Sequence, residues 1–148
     1  MEQIKLDAAS SRILRELQRD SRQTVQELSA KVGLSVSPCW RRVKELEATG
    51  VVRRYTALVE REKVALSACI LAQVSLLRQT EGAAEQFESA MHACAEVIEC
   101  YSVTGDADYV IKVVLPDVKA YDAFLHRVMF KIKDIGTLRS MVVLREVK

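Results

Sequence analysis

The sequence predicts an α+β protein with an N-terminal winged helix-turn-helix followed by a ferredoxin-like βαββαβ domain. Three observations lead to this fold class. Two short apolar helical patterns meet at Gly33, and a basic, β-branched stretch follows them at residues 51–55. From residue 68 onward, the hydrophobic period alternates between that of strands and that of helices. We therefore predict a first domain at residues 1–58, a linker at 59–66 and a second domain at 67–148.

Two helices are predicted before Gly33. Leu6 and Asp7 open the first helix, and Thr24 is placed to cap the second. Gly33 supplies the left-handed residue that ends a helix and lets the chain turn sharply. The side chains predicted to face inward are Ile13, Leu14 and Leu17 on the first helix and Val25, Leu28 and Val32 on the second.

The third helix is predicted to present a basic outer face. Ser37 and Pro38 predict its N-cap and first turn, and Gly50 predicts its end. Its inward side chains would be Cys39, Val43 and Leu46. At about 100° per residue, the side chains that fall within about 60° of one another on the outer face are Ser37, Arg41, Lys44 and Ala48. Val51 to Tyr55 then predict a basic strand or wing.

This arrangement favours a DNA-binding helix-turn-helix over a solvated basic helix on an ordinary helical domain. Small and basic side chains on the outer face can approach the floor of the major groove, and Arg42, at the flank, can reach a phosphate. Trp40 has two interpretations: it contacts DNA, or it packs against the first helix or the wing. The predicted DNA-binding residues are Ser35, Ser37, Pro38, Trp40, Arg41, Arg42, Lys44, Arg53 and Arg54.

The second domain is predicted from changes of hydrophobic period. Alternation from Ala68 to Leu76 predicts a strand, and a helix follows whose inner face includes Phe87 and Met91. Residues 97–104 and 109–115 predict two strands around the turn 105–108. Residues 116–132 predict a helix, and 137–147 predict the last strand. The side chains predicted to face inward on this helix are Val118, Tyr121, Phe124, Leu125, Val128, Met129 and Ile132. The uncovered sheet face keeps apolar candidates, so we expect a second subunit to cover it: Leu71, Val110, Met141 and Val143.

Composition and charge exclude several classes of protein. Of the 148 residues, 49% are hydrophobic, but no apolar run is long enough to cross a bilayer, so no membrane partner is expected. Glu2, Lys5 and Asp7 interrupt the N-terminus early, so it does not resemble a signal peptide, and a cytoplasmic protein is expected. Residues 1–63 carry 13 basic and 9 acidic side chains, whereas residues 64–148 carry 9 and 11. This asymmetry suits a first domain that meets a polyanion.

Catalytic and metal chemistry are not predicted. The four cysteines, none in C-x-x-C spacing, are expected to be buried free thiols in a reducing cytoplasm rather than a zinc site. An enzyme needs a nucleophile with a base, a metal set or a phosphate loop, and the sequence offers none of these. We therefore expect no enzyme activity and no cofactor.

The chain resembles the bacterial and archaeal feast/famine transcription regulators of the leucine-responsive regulatory protein/AsnC family. The residues that carry the resemblance are LDAASSRILRELQRDSRQTVQELSAKVGLSVSPCWRRVKELEATGVVRRYTALV at the start and TGDADYVIKVVLPDVKAYDAF with the closing REVK. The resemblance covers essentially the whole chain. Family members usually continue a few residues past the last strand, and the sequence does not tell whether such a tail is missing here.

The resemblance implies a nucleoid-associated regulator whose binding to double-stranded DNA, or whose assembly, responds to an amino acid or related metabolite. It implies a homodimer through the sheets of the second domain and further assembly to an octamer. The effector-binding residues it implies are Gly105, Asp106, Ala107, Asp108, Met141, Val142 and Val143. From the residues alone, an ordinary hairpin turn at 105–108 is an equal alternative. An architectural DNA-binding protein without an effector is the alternative function.

Overall fold

The computed structural model describes residues 5–77 and 80–147 of the chain. Contacts divide it into two compact units, Met1–Leu58 and Val59–Lys148, and each is described by itself. Over the described residues, every helix is too short or too polar to cross a membrane.

The first unit is a three-helix cluster. Its helices are α1 (Ala8–Arg19), α2 (Val25–Val32) and α3 (Val36–Ala48). Asp7 caps α1 by accepting a hydrogen bond from the Ser10 N–H, and Thr24 forms a reciprocal capping box with Glu27 at the start of α2. Most of the side chains predicted to face inward are buried in one core. Leu14 and Leu17 are partly buried and pack against it. The core consists of Ile13, Leu28, Val32, Cys39, Val43 and Leu46.

The turn between α2 and α3 depends on Gly33, as predicted. Gly33 adopts a φ of 69°, in the left-handed region. The predicted N-cap of α3 is wrong, however: Ser35 holds that position, and its carbonyl accepts from the Cys39 N–H at 3.1 Å. Ser37 therefore lies inside the first turn. Pro38 is tolerated there because the first N–H groups of a helix have no intrahelical acceptor.

The predicted wing strand is absent from the described residues. The segment after Gly50 has no regular secondary structure up to Glu60. It is still attached to the helix, because the Val52 N–H donates to the Leu46 carbonyl at 2.9 Å. A strand needs a neighbouring backbone to pair with, and the described part of this single chain supplies none to residues 51–60.

Gly33→Ala is expected to lower the free energy of unfolding by about 1–2 kcal/mol, because an alanine Cβ is strained in the left-handed region. Gly82→Ala is the matched control. Gly82 lies inside a helix, where alanine is favoured by about 0.8–1.0 kcal/mol, and nothing lies within 4 Å of an added Cβ. Urea unfolding followed by circular dichroism measures both variants. Equal destabilisation of the two would contradict this account of Gly33.

The second unit is a four-stranded antiparallel sheet with two helices. Its elements are β1 (Ala68–Leu76), α4 (Glu81–His92), β2 (Val97–Ser102), β3 (Tyr109–Leu115), α5 (Val118–Arg127) and β4 (Ile135–Val142), with short 3-10 turns at Arg61–Val64 and Met129–Lys131. The strand order is β2-β3-β1-β4, which confirms the βαββαβ arrangement.

The two faces of this sheet differ in burial. The helix-covered face joins Ile70, Ile111 and Val113 to Phe87 of α4 and Phe124 of α5 in one core. The opposite face, here called the open face, carries the side chains that alternate with these; they include Leu71, Val110 and Met141, as predicted, with Glu99, Tyr101 and Lys112 beside them. Val143, beyond the end of β4, still donates its N–H to the Cys69 carbonyl.

Several predicted boundaries in this unit are wrong. Strand β2 ends at Ser102 rather than at residue 104. Helix α5 ends at Arg127 because Val128, with a φ of −118° and a ψ of −65°, departs from helical geometry. Val118, in the first turn of α5, is exposed and does not face inward as predicted. Strand β4 begins at Ile135 and ends at Val142, so Gly136 lies inside it. An added Cβ at Gly136 would lie 3.0 Å from the Leu77 side chain, next to the register shift at Ser75 and Leu76.

Candidate DNA-binding and effector sites

The outer face of α3 presents an exposed cation. Arg41 is exposed and takes part in no ion pair within the described ranges. Ser35 and Ser37 are also exposed at the start of the helix, and Pro38 is partly buried. Guanidinium groups on an exposed recognition helix are the usual partners of guanine O6 and N7. The structure therefore leaves Arg41 available for contact with a base.

Lys44 is held against its own helix. Its Nζ lies 2.7 Å from Oε2 of Glu47 and 4.4 Å from the centroid of the Trp40 ring. The Trp40 side chain is about half exposed. Trp40 thus serves as a platform for the Lys44 ammonium, a cation–π contact that neither interpretation of the sequence anticipated.

Glu47 extends this chain of contacts beyond the helix. Its Oε1 accepts a hydrogen bond from the Tyr55 hydroxyl at 2.9 Å. The bonds from Lys44 and Tyr55 lower the pKa of Glu47, while burial and the nearby Glu47 carboxylate raise the pKa of Tyr55 to about 12. Glu47 was missed by sequence reasoning, although its i, i+3 spacing from Lys44 is visible there.

Arg42 is engaged within the unit. Its guanidinium donates to Oδ2 of Asp7 at 2.5 Å and to the Ser10 hydroxyl at 3.2 Å. These bonds join α3 to the start of α1. They also occupy the guanidinium group that was predicted to reach a phosphate. Arg53 and Arg54, by contrast, are exposed in the segment after α3.

The Asp7 carboxylate makes a pH-dependent contribution to stability. Hydrogen bonds from the Ser10 N–H, then from the Ser10 hydroxyl and Arg42, lower the pKa of Asp7 from 3.8 to about 2. Because the folded-state pKa is depressed, this stabilisation is complete above the unfolded value of 3.8 and is lost as the pH falls towards 2.

Asp7→Asn is therefore expected to lower the melting temperature at neutral pH and to match the wild type near pH 2. Asparagine keeps the helix cap but loses the charge that Arg42 contacts. Melting curves recorded across this pH range measure the difference between the two proteins. Glu45→Gln, which neutralises an exposed carboxylate on α3, is the control. A difference for Asp7→Asn that persists unchanged at the lowest pH would contradict the assignment.

The turn at residues 105–108 is braced against β1. The Asp108 N–H donates to the Val74 carbonyl at 3.0 Å, and Oδ2 of Asp108 accepts from the Leu76 N–H at 2.7 Å. The carboxylate thereby adds one hydrogen bond to those that join β1 and β3. The Ser75 hydroxyl donates to the Asp106 carbonyl at 3.1 Å.

The outer part of the turn is open. Gly105 has a φ of 116°, which L-amino acids rarely adopt, and nothing lies within 4 Å of an added Cβ. Gly105 and Asp106 are exposed, whereas Ala107 and Asp108 are partly buried. One carboxylate oxygen of Asp108 is already used in the fold, so the Asp106 side chain is the more accessible acidic group of the turn.

The two predicted effector segments lie apart in one chain. Asp106 contacts Ser75, whereas Met141 pairs with Leu71, four residues away along β1 and about 13 Å distant at about 3.3 Å per residue. Met141 and Val143 belong to the open face, and Val142 faces the helix side.

The four cysteines are free thiols in the described part of the chain. Cys39 and Cys69 are buried free thiols, as predicted, but Cys94 lies half-buried in the α4–β2 turn and Cys100 is exposed on the edge strand β2. Over residues 5–77 and 80–147, no three side chains of His, Cys, Asp or Glu converge as metal ligands.

An exposed, basic helix-turn-helix joined to an α+β domain defines a class of two-domain DNA-binding regulators. Comparison with known families agrees with this class. A family model described as winged helix-turn-helix DNA-binding matches residues 6–53, and one described as Lrp/AsnC ligand binding domain matches residues 69–148. The chain belongs to the Lrp/AsnC family of transcriptional regulators.

Individual relatives cover nearly the whole chain. The leucine-responsive regulatory protein of Escherichia coli K12 is 38% identical over 143 residues, which are 97% of this chain and 87% of that protein. A transcriptional regulator from Neisseria meningitidis in complex with L-Met is 36% identical with a TM-score of 0.91, over 97% of this chain and 93% of the other. The feast or famine regulatory protein of M. tuberculosis, complexed with L-methionine, is 32% identical with a TM-score of 0.86, over 97% and 95%.

Proposed function

We propose that this protein is a sequence-specific DNA-binding regulator whose DNA affinity or assembly responds to an amino acid. The observation that carries the proposal is the exposed Arg41 on helix α3 of a matched DNA-binding domain, in a chain whose second domain matches a ligand-binding family. The L-methionine complexes of two relatives support an amino-acid effector. The action proposed is binding rather than catalysis, in the cytoplasm and at the nucleoid.

The open face supports self-association. Leu71 lies between Met141, which is 46% exposed, and Lys112, which pairs with Glu99 at 3.3 Å; Val110 lies opposite Gln73. A face that combines exposed apolar side chains with an internal ion pair is suited to a two-fold interface. We propose a homodimer through this face and, by analogy with the family, assembly to an octamer. Light scattering that shows only monomer at micromolar concentration would contradict the dimer.

The turn at residues 105–108 is the proposed effector site. A zwitterionic ligand needs hydrogen-bond donors for its carboxylate and an acceptor for its ammonium group. Gly105 exposes backbone in a conformation that only glycine adopts readily, and Asp106 offers an exposed carboxylate. Met141, Val142 and Val143 would contribute from another subunit, because they lie too far away within one chain.

A thermal-shift screen of the wild-type protein against the twenty amino acids tests this proposal. We expect at least one amino acid to raise the melting temperature, since a ligand that binds only the folded state stabilises it by mass action. Asp106→Ala is expected to weaken that shift and to leave DNA binding without ligand unchanged. Asp122→Ala, an exposed carboxylate on α5, is the matched control.

The alternative function is an architectural DNA-binding protein without an effector. Titration calorimetry separates the two functions. Wild-type ligand affinity in Asp106→Ala would mean that the acidic turn is only a hairpin. DNA binding that no amino acid alters, in affinity or in assembly, would favour the architectural function, because a ligand shifts an equilibrium only through its different affinity for the two states.

A further inference from the structure

We infer that Glu47 and Tyr55 are positioning residues for DNA binding. Their hydrogen bond holds Arg53 and Arg54 against the last turn of α3, so that both guanidinium groups meet phosphates beside the groove that α3 enters. The inference rests on the proposed DNA-binding function and assigns a role to two residues that the sequence did not place at the DNA.

Two anchors fix the backbone on either side of the arginine pair. Before Arg53, the Val52 N–H donates to the Leu46 carbonyl at 2.9 Å. After Arg54, the Tyr55 hydroxyl donates to Oε1 of Glu47 at 2.9 Å. The segment has no secondary structure of its own; these two bonds tie it to α3 on either side of the arginines, and Val51 and Val52 pack against the core of the unit.

The charges around the pair favour an external anion. Arg53 and Arg54 are exposed and form no ion pair in the part of the chain that the structure describes. Both oxygens of Glu47 are already occupied, one by Lys44 and one by Tyr55. With the Tyr55 pKa raised to about 12, its hydroxyl remains a donor throughout the physiological pH range.

The two hydrogen bonds to α3 favour DNA binding because ordering flexible groups on binding costs conformational entropy. Arginines on a free segment would lose backbone freedom when they meet phosphates, whereas a segment already fixed to α3 loses less. The anchor also makes the arginines move with the recognition helix. The Tyr55 hydroxyl therefore contributes to DNA affinity without touching the DNA.

Tyr55→Phe tests the anchor, because it removes one oxygen atom and keeps the ring. Fluorescence anisotropy with a labelled double-stranded DNA of mixed sequence measures affinity over a series of salt concentrations. We expect the variant to bind about 3- to 10-fold more weakly and its salt dependence to become shallower by about 1 to 2 in logarithmic slope, the value for one or two lost phosphate contacts. A purely structural role would leave this slope unchanged.

A double-mutant cycle identifies the partner of the hydroxyl. In a Glu47→Ala background, Tyr55→Phe is expected to change affinity by less than about twofold, because the acceptor is already gone. In the matched Glu45→Ala background, which removes the same charge from the same helix, the full cost of Tyr55→Phe is expected. Arg53→Ala/Arg54→Ala should make the salt dependence shallower in the same way. In that background, Tyr55→Phe is expected to cause no further loss of DNA affinity.

Each outcome decides between the inference and the function on which it rests. If the wild-type protein fails to bind the duplex, both are overturned. If the wild type binds but Tyr55→Phe binds equally well, or loses the same affinity in the Glu47→Ala background, the inference fails and the proposed function stands. Thermal unfolding of every variant confirms that the folded proteins are being compared. If Tyr55→Phe were to unfold, a salt slope left unchanged by Arg53→Ala/Arg54→Ala would overturn the inference.

Discussion

Replacing both Arg41 and Lys44 with alanine is expected to reduce affinity for a specific DNA site about 10- to 100-fold. A bidentate contact from arginine to guanine contributes about 1–3 kcal/mol, and about 1.4 kcal/mol corresponds to a tenfold change. Arg41 is exposed on α3 and forms no ion pair within the described residues. Lys44 must exchange Glu47 for DNA, so its share of the loss is expected to be the smaller one.

The measurement uses a duplex enriched from a random library with the wild-type protein. Lys131→Ala/Lys133→Ala removes the same charge from exposed positions of the second unit and serves as the control. Arg41→Ala alone should also relax the preference for one base of the site. If the folded double variant keeps wild-type affinity, α3 is not the recognition helix. A salt slope near zero would argue against DNA binding altogether, since each neutralised phosphate contributes about −0.9.

Asp108→Ala is expected to lower the free energy of unfolding of the second unit by about 1.5–3 kcal/mol, the range for a hydrogen bond to a charged group. Its Oδ2 accepts from the Leu76 N–H at 2.7 Å, where β1 would otherwise lack a partner on the β3 side. Removing the carboxylate leaves a partly buried N–H without its acceptor. Urea unfolding followed by circular dichroism measures the loss.

Asp106→Ala is the matched control for that variant. The Asp106 side chain is exposed, and its bond to Ser75 uses the backbone carbonyl, which alanine retains. Its effect on unfolding is expected to stay within about 0.5 kcal/mol. Equal losses for the two variants would contradict the different roles given to the two carboxylates, one in the fold and one in the proposed effector site.

Local patterns were enough to predict most helices and strands. The cap at Thr24, the left-handed Gly33 and strand β3 at Tyr109–Leu115 follow from residues that are neighbours in sequence. The α3 cap was misplaced because Ser35 and Ser37 are both acceptable caps, and only the Ser35 carbonyl accepts the first helical bond. The end of α5 was misplaced because the apolar spacing continues through a 3-10 turn.

Contacts between distant residues could not be predicted. Arg42 and Asp7 are 35 residues apart, and Asp108 and Leu76 are 32 apart, so neither pairing leaves a pattern in a single sequence. Arg42 was predicted to contact a phosphate and Asp108 an effector. Both residues also stabilise the fold through these pairings. The strand predicted within the wing is not formed, and the reason is the opposite one. Residues 51–55 have the composition of a strand, but the described part of a single chain offers them no partner.

The stacking of Lys44 on Trp40 gives this protein a built-in optical reporter. Trp40 is the only tryptophan in the chain, so its emission comes from one place, the flank of the recognition helix. The ammonium lies 4.4 Å from the ring centroid, and indole emission is sensitive to a charge so close to its face. If DNA binding draws Lys44 away from the ring, as we propose, the emission of that indole is expected to change. Occupancy of the helix can therefore be followed in solution without attaching a dye to the protein.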